Sequence, residues 1–77
     1  MKAIMWSRYN CPYCDQARAL LKSKGYEIEE RKIGDGFTKE ELLESVPTAR
    51  TVPQIFLDGK YVGGFDDLRQ HFQNTVV

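Results

Sequence analysis

The chain has 77 residues, 42% of them hydrophobic and 29% charged, which leaves room for one small domain spanning residues 1–77 and excludes a second module. Eleven basic residues balance eleven acidic ones, and a formal net charge of +0 is not the electrostatic footprint of a nucleic-acid binder. No stretch approaches the roughly 18 apolar residues of a membrane span, and Met1–Trp6 is too short for the apolar region of a signal peptide, so the chain reads as cytoplasmic, with no membrane partner.

In chain order, Lys2–Ser7 opens with the unbroken apolar run Ala3, Ile4, Met5 and Trp6, the pattern of a central strand buried on both faces. Pro12 suits a first helical position. Asp15 falls in the first turn, Cys14, Ala17, Leu20 and Leu21 form an apolar stripe, Lys22 and Lys24 lie in the last turn, and Gly25 is a stop. Tyr26–Ile33 carries five charges, which predicts an edge strand guarded against stray pairing. After the turn at Gly34-Asp35-Gly36, Thr38 and Glu41 form a capping box that opens a short helix with Leu42, Leu43 and Val46, ending at Pro47.

Val52–Leu57 and Lys60–Gly63 flank Asp58-Gly59, the signature of a hairpin with a type I′ turn. Gly63-Gly64 breaks that strand, Asp66 or Asp67 can cap a last helix, and Phe65, Leu68 and Phe72 give the helix a buried stripe. Only Asn74–Val77 follows, where the helix end is expected to fray. A right-handed βαβ unit makes the first two strands parallel, and the hairpin completes the same sheet because it is marginal alone. The expected fold class is therefore α/β, a thioredoxin-like four-stranded mixed sheet in the order β-α-β-α-β-β-α with three flanking helices.

The only two cysteines, Cys11 and Cys14, stand three apart at the start of the first helix. A bridge between them closes almost no loop and adds little chain-entropy stabilisation, so redox chemistry or metal binding is the better reason for the pair. A thiol at a helix N-terminus faces unpaired N–H groups and the positive end of the macrodipole, which can lower its pKa from about 8.5 to roughly 3.5–7.5. Cys11 holds that position. Cys14 lies one turn further in on the packing face, so Cys11 is the attacking thiol and Cys14 the resolving one. A zinc site is disfavoured, because structural zinc takes four ligands and the only other nitrogen ligand is His71; no metal is expected. Core packing alone does not explain two thiols one turn apart at a proline-marked helix start.

Cys11-Pro12-Tyr13-Cys14, Thr51-Val52-Pro53 and Gly63-Gly64-Phe65-Asp66-Asp67, in this order on the expected elements, resemble the dithiol glutaredoxins, especially short bacterial and phage forms. The resemblance covers nearly the whole chain. It implies a glutathione-dependent thiol-disulfide oxidoreductase that reduces protein disulfides and glutathione mixed disulfides. Cys11 and Cys14 would form the redox-active disulfide, with glutathione as reducing co-substrate and no tightly bound cofactor. It further implies a cis peptide bond at Pro53 that exposes the Val52 backbone to the cysteinyl part of glutathione. The N-terminus of the last helix, at Gly64, Phe65 and Asp66, would receive the γ-glutamyl carboxylate, and Asp66 or Asp67 the ammonium. Arg8 and Tyr13 would contact the tripeptide from the other side, Arg8 at the glycyl carboxylate, while Thr51 would line the groove. The implied partners are glutathione and disulfide-containing proteins, ribonucleotide reductase among the plausible ones by family analogy, and the implied state is a monomer.

Each implied contact has a plainer alternative: Asp66 and Asp67 as helix caps only, Arg8 as a solvated charge and Tyr13 as an exposed loop aromatic. Gln54, Ile55 and Phe56 read as sheet, and Trp6, Phe56 and Phe72 as core. Two positions depart from the family pattern: Arg8 stands where many relatives have lysine, and Phe65 where some have cysteine or serine. The first exchanges a point charge for a planar fork, and the second places a ring beside the γ-glutamyl site. The competing functions are a redoxin reduced by thioredoxin reductase and a dimer holding an iron-sulfur cluster through Cys11 and glutathione.

Overall fold

The computed structural model describes residues 1–73, so the expected fraying at Asn74–Val77 lies outside the described residues. The elements are β1 (Lys2–Arg8), α1 (Pro12–Ser23), β2 (Glu27–Ile33), α2 (Lys39–Ser45), β3 (Gln54–Leu57), β4 (Lys60–Gly63) and α3 (Phe65–Gln73). They form one four-stranded sheet in the order β2-β1-β3-β4, with β1 and β2 parallel and the β1–β3 and β3–β4 pairs antiparallel. This is the thioredoxin-like α/β layout, with the charged β2 at one edge and β4 at the other.

Both faces of β1 are covered, which is why its sequence does not alternate. Ala3 and Met5 join Ala17 and Leu21 of α1, Ile55 and Leu57 of β3 and Leu68 of α3 in one cluster. Trp6 joins Leu42 and Val46 on the other face, with Ile4, Ile33, Phe37, Val52 and Phe56 packed around them. Each large apolar side chain so buried contributes about 1.5–3 kcal/mol, so a chain this short depends on both clusters.

Local signals set the element ends. The α1 C-terminus closes with a Schellman pair of bonds, Tyr26 N–H to the Leu21 carbonyl at 3.1 Å and Gly25 N–H to the Lys22 carbonyl at 3.0 Å. The expected capping box opens α2: Thr38 Oγ1 accepts the Glu41 N–H, and the Glu41 carboxylate accepts the Thr38 N–H. Asp58 and Gly59 have φ of 49° and 86°, the two positive angles of a type I′ turn. That turn is fastened to the start of β1, where Asp58 N–H donates to the Lys2 carbonyl at 2.8 Å and Lys2 N–H donates to Asp58 Oδ1 at 2.9 Å.

The start of α3 differs from the sequence expectation. Neither Asp66 nor Asp67 occupies the cap position, because the Gly64 carbonyl accepts the Leu68 N–H and the helix begins at Phe65. Asp67 sits in the first turn and its carboxylate reaches back to the Gly64 N–H at 3.3 Å. Gly63 makes room for this: its φ is 126°, and a Cβ there would lie 2.9 Å from Asp67 Cβ. A chain with only hydrogen at the cap must satisfy that amide from within the helix.

Candidate active site

The chain leaves β1 at Arg8, turns through Tyr9 and Asn10, and enters α1 with Cys11 as the N-cap and Pro12 in the first helical turn. Cys11 Sγ accepts the Cys14 N–H at 3.1 Å, as a serine or aspartate oxygen would at an ordinary cap. The Cys11 carbonyl meanwhile accepts the Asp15 N–H at 3.1 Å. Cys11 and Cys14 are joined as a disulfide with Cα atoms 5.2 Å apart. Cys14 is fully buried while Cys11 keeps 6% of its surface, so an incoming sulfur can reach only Cys11. Reduction of the bridge leaves Cys11 Sγ beside the Cys14 N–H and the free amides of the first turn, which favour the thiolate.

Cys11 Sγ lies 3.8 Å from the Val52 carbonyl, and Val52 precedes a cis peptide bond at Pro53. Val52 and Pro53 border a groove of about 740 Å³ lined also by Arg8, Tyr13, Thr51, Gly64, Phe65, Asp66 and Asp67. The groove thus brings together the non-cysteine residues singled out from the sequence, drawn from β1, α1, the β3 approach and α3. Tyr13 is 61% exposed, and its ring lies 5.9 Å from that of Phe65 across the opening. Arg69 lies over the Phe65 ring at 5.7 Å and reaches Asp66 at 3.7 Å. Asp67 is engaged by Gly64, so the two acids are not equivalent.

Ile33, Lys39, Leu42, Leu43, Ala49, Arg50, Gln54 and Tyr61 also line the groove. None was singled out as a contact residue, and Gln54, read only as sheet, is both sheet and groove wall. Its amide donates to the Thr51 carbonyl at 2.8 Å, and its Oε1 accepts the Tyr61 hydroxyl at 2.6 Å. This bracing fixes the loop that presents Thr51 and Val52. Burial, and then the Asp67 carboxylate, push the Tyr61 phenol above its usual range. The polar residue opening β3 hinted at this role, but Tyr61 carries no local signal because its partner comes from the neighbouring strand.

A second polar cluster fixes α1 to the sheet. Arg18 donates from Nε and Nη2 to the two Glu30 oxygens at 2.8 and 2.7 Å and from Nη1 to Asp15 at 2.8 Å. The fully buried Ser7 donates to Glu30 Oε2 at 2.6 Å. These bonds, Arg18 foremost, outweigh partial burial and hold the Glu30 carboxyl down at about 2. Among the described residues no group of three or more His, Cys, Asp or Glu side chains could hold a metal ion, and no helix is long and apolar enough to cross a membrane.

Residues 3–62 match the family model described as Glutaredoxin. The chain is 42% identical over 64 residues to glutaredoxin 3 of Escherichia coli strain K12, covering 83% of this chain and 77% of that protein. It is 43% identical over 68 residues to glutaredoxin 1 of Rickettsia typhi, covering 84% and 64%. Its fold superposes on the structure of reduced E. coli glutaredoxin with a TM-score of 0.79 at 30% identity, over 97% of this chain and 96% of that one.

Proposed function

The chain belongs to the glutaredoxin family and is a glutathione-dependent thiol-disulfide oxidoreductase, and from that premise we propose how its groove and its two cysteines divide the work. The observation that carries the division of roles is the contrast at the head of α1: Cys11 caps the helix at the groove's edge while Cys14 is sealed beneath it.

The Cys11 thiolate attacks one sulfur of a substrate disulfide; a Cys11–substrate bond forms as the substrate's own S–S bond breaks, and the departing thiolate takes a proton from solvent. With a protein substrate, the Cys14 thiolate then attacks Cys11 Sγ. The Cys11–Cys14 bridge forms, the second substrate thiol leaves, and two electrons have passed to the substrate. A glutathione thiolate reopens the bridge at Cys11 Sγ and frees Cys14. A second glutathione attacks the sulfur of the bound one, releasing oxidised glutathione and restoring the Cys11 thiolate.

Glutathione offers two carboxylates and one ammonium, and the groove has complementary groups at both ends. The free amides of Phe65 and Asp66 at the head of α3 suit the γ-glutamyl carboxylate, and the Asp67 carboxylate suits the ammonium. The Val52 backbone, beside Cys11 Sγ, suits the cysteinyl peptide unit, with Thr51 and Pro53 as its walls. Arg8 suits the glycyl carboxylate, and Tyr13 flanks the reacting sulfur.

The test is the steady-state reduction of a small glutathione mixed disulfide with glutathione and its reductase as the only electron source. Turnover proportional to enzyme, abolished in Cys11→Ser, is the expected result. Retained turnover in Cys11→Ser would assign the nucleophile elsewhere, and no turnover in folded, reduced wild-type protein would remove the glutathione site.

A further inference from the structure

The groove holds more cations than the glycyl carboxylate of one glutathione needs, and its two acids, Asp66 and Asp67, lie apart in the first turn of α3. Arg8, Lys39 and Arg50 all line it, and among the described residues none of the three has an ion pair; of the other cations, Lys2, Arg18, Arg31, Lys32 and Arg69 are each paired with a carboxylate, while Lys22, Lys24 and Lys60 are unpaired and lie outside the groove. The glycyl carboxylate neutralises one charge here, since the γ-glutamyl carboxylate belongs at the head of α3. The surplus lies toward α2. That helix presents Lys39, Leu42 and Leu43, at i, i+3 and i+4, to the groove, while its three acids Glu40, Glu41 and Glu44 do not line it. A chain of net charge +0 has thus turned the one base and the aliphatic side chains of a mostly acidic helix toward the site.

We propose that Lys39, Leu43 and Arg50 form a docking surface for the protein substrate, selecting disulfides flanked by an acidic side chain next to an aliphatic one. This rests on the glutathione-dependent dithiol cycle above and names the class of protein disulfide that the cycle takes. A peptide whose sulfur reaches Cys11 passes Val52 and Thr51, and its flanking residues then meet Arg50 and the α2 stripe. There a carboxylate finds two unpaired cations and an aliphatic side chain finds Leu43, which is half-buried. The electron transfer is unchanged; the added contacts raise the encounter rate and hold the chain in register.

Two disulfide-cyclised peptides, identical except for Glu-Leu or Lys-Leu beside the reactive cysteine, test this by their kcat/KM with glutathione and its reductase. The wild-type protein should favour the acidic peptide by about fivefold or more at low ionic strength, with the ratio shrinking as salt is added. In Lys39→Glu the ratio should fall to unity or invert. An acid in the first turn of α2 suits the helix dipole, and a ratio of two substrates on one enzyme cancels any loss common to both. Equal rates for the two peptides in the wild type, or an acidic preference undiminished in Lys39→Glu, would overturn the docking surface. Normal turnover of a small glutathione mixed disulfide alongside equal peptide rates would overturn that surface alone, whereas absent turnover would overturn the cycle beneath it.

Discussion

Cys11 caps α1 through sulfur, a place usually held by a side-chain oxygen, and in doing so aims the first-turn amides at the atom that must carry negative charge. Cys14 can act only on a sulfur already bound to Cys11, because it is wholly enclosed. Cys14→Ser should therefore keep turnover of small glutathione mixed disulfides, where the second glutathione does the resolving, and lose dithiol reduction of protein disulfides. Equal loss of both activities would show that Cys14 serves the first attack as well. The binding role proposed for Asp67 can be separated by substitution from its local bond to the Gly64 N–H. Asp67→Asn keeps an oxygen for the Gly64 N–H but removes the charge offered to the γ-glutamyl ammonium. It should raise the KM for glutathione about tenfold, the scale of one charge-assisted bond, with Tm nearly unchanged. Asp67→Ala should raise KM and also cost about 1 kcal/mol in a denaturant titration. An unchanged KM in Asp67→Asn would return the residue to a purely structural part.

Between elements, the Arg18–Glu30 pair fastens α1, and with it the cysteine cap, to the edge strand. Glu30 holds its proton only below about 2 in the fold, against 4.5 for a free glutamate. Its contribution is thus complete above pH 4.5 and drains away as pH falls toward 2. Both side chains keep about a quarter of their surface, so solvent screens the pair and its worth is about 1–3 kcal/mol. Glu30→Gln should lose that amount at pH 7 and show a shallower fall in stability between pH 4.5 and 2; an unaltered acid limb in urea titrations would mean the pair is neutral. Sequence reading saw Glu30 only as one of five charges on an edge strand, since nothing local sets Arg18, twelve residues earlier, opposite it. Elements whose signals are local were legible: Pro12 after Cys11, the Thr38–Glu41 box and the Asp58-Gly59 turn all mark true boundaries. The start of α3 was not, because its cap residue is a glycine without a side chain to announce it. The residues proposed to face glutathione came from motifs, whereas Lys39, Arg50 and Tyr61 reach the groove only through tertiary packing.

Across the whole molecule, the two faces of the sheet are unequally held. On one face α1 buries Cys14, Ala17 and Leu21 completely and α3 buries Leu68; on the other, the seven-residue α2 buries Leu42, and Val46 follows at its end. A short helix with so little enclosed surface opens locally at lower free energy than the central strand. Amides of α2 from Leu42 to Val46 should exchange with deuterium at least about a hundredfold faster than those of β1, without unfolding α1. Leu42 and Leu43 line the groove, so an occupant there must slow α2 exchange while leaving β1 amides unchanged. Protection of α2 equal to that of β1 would mean that both faces open only together. The thin face would then be a fixed wall, and Thr51 and Val52, reached by the chain that leaves α2, would meet every substrate in a single arrangement.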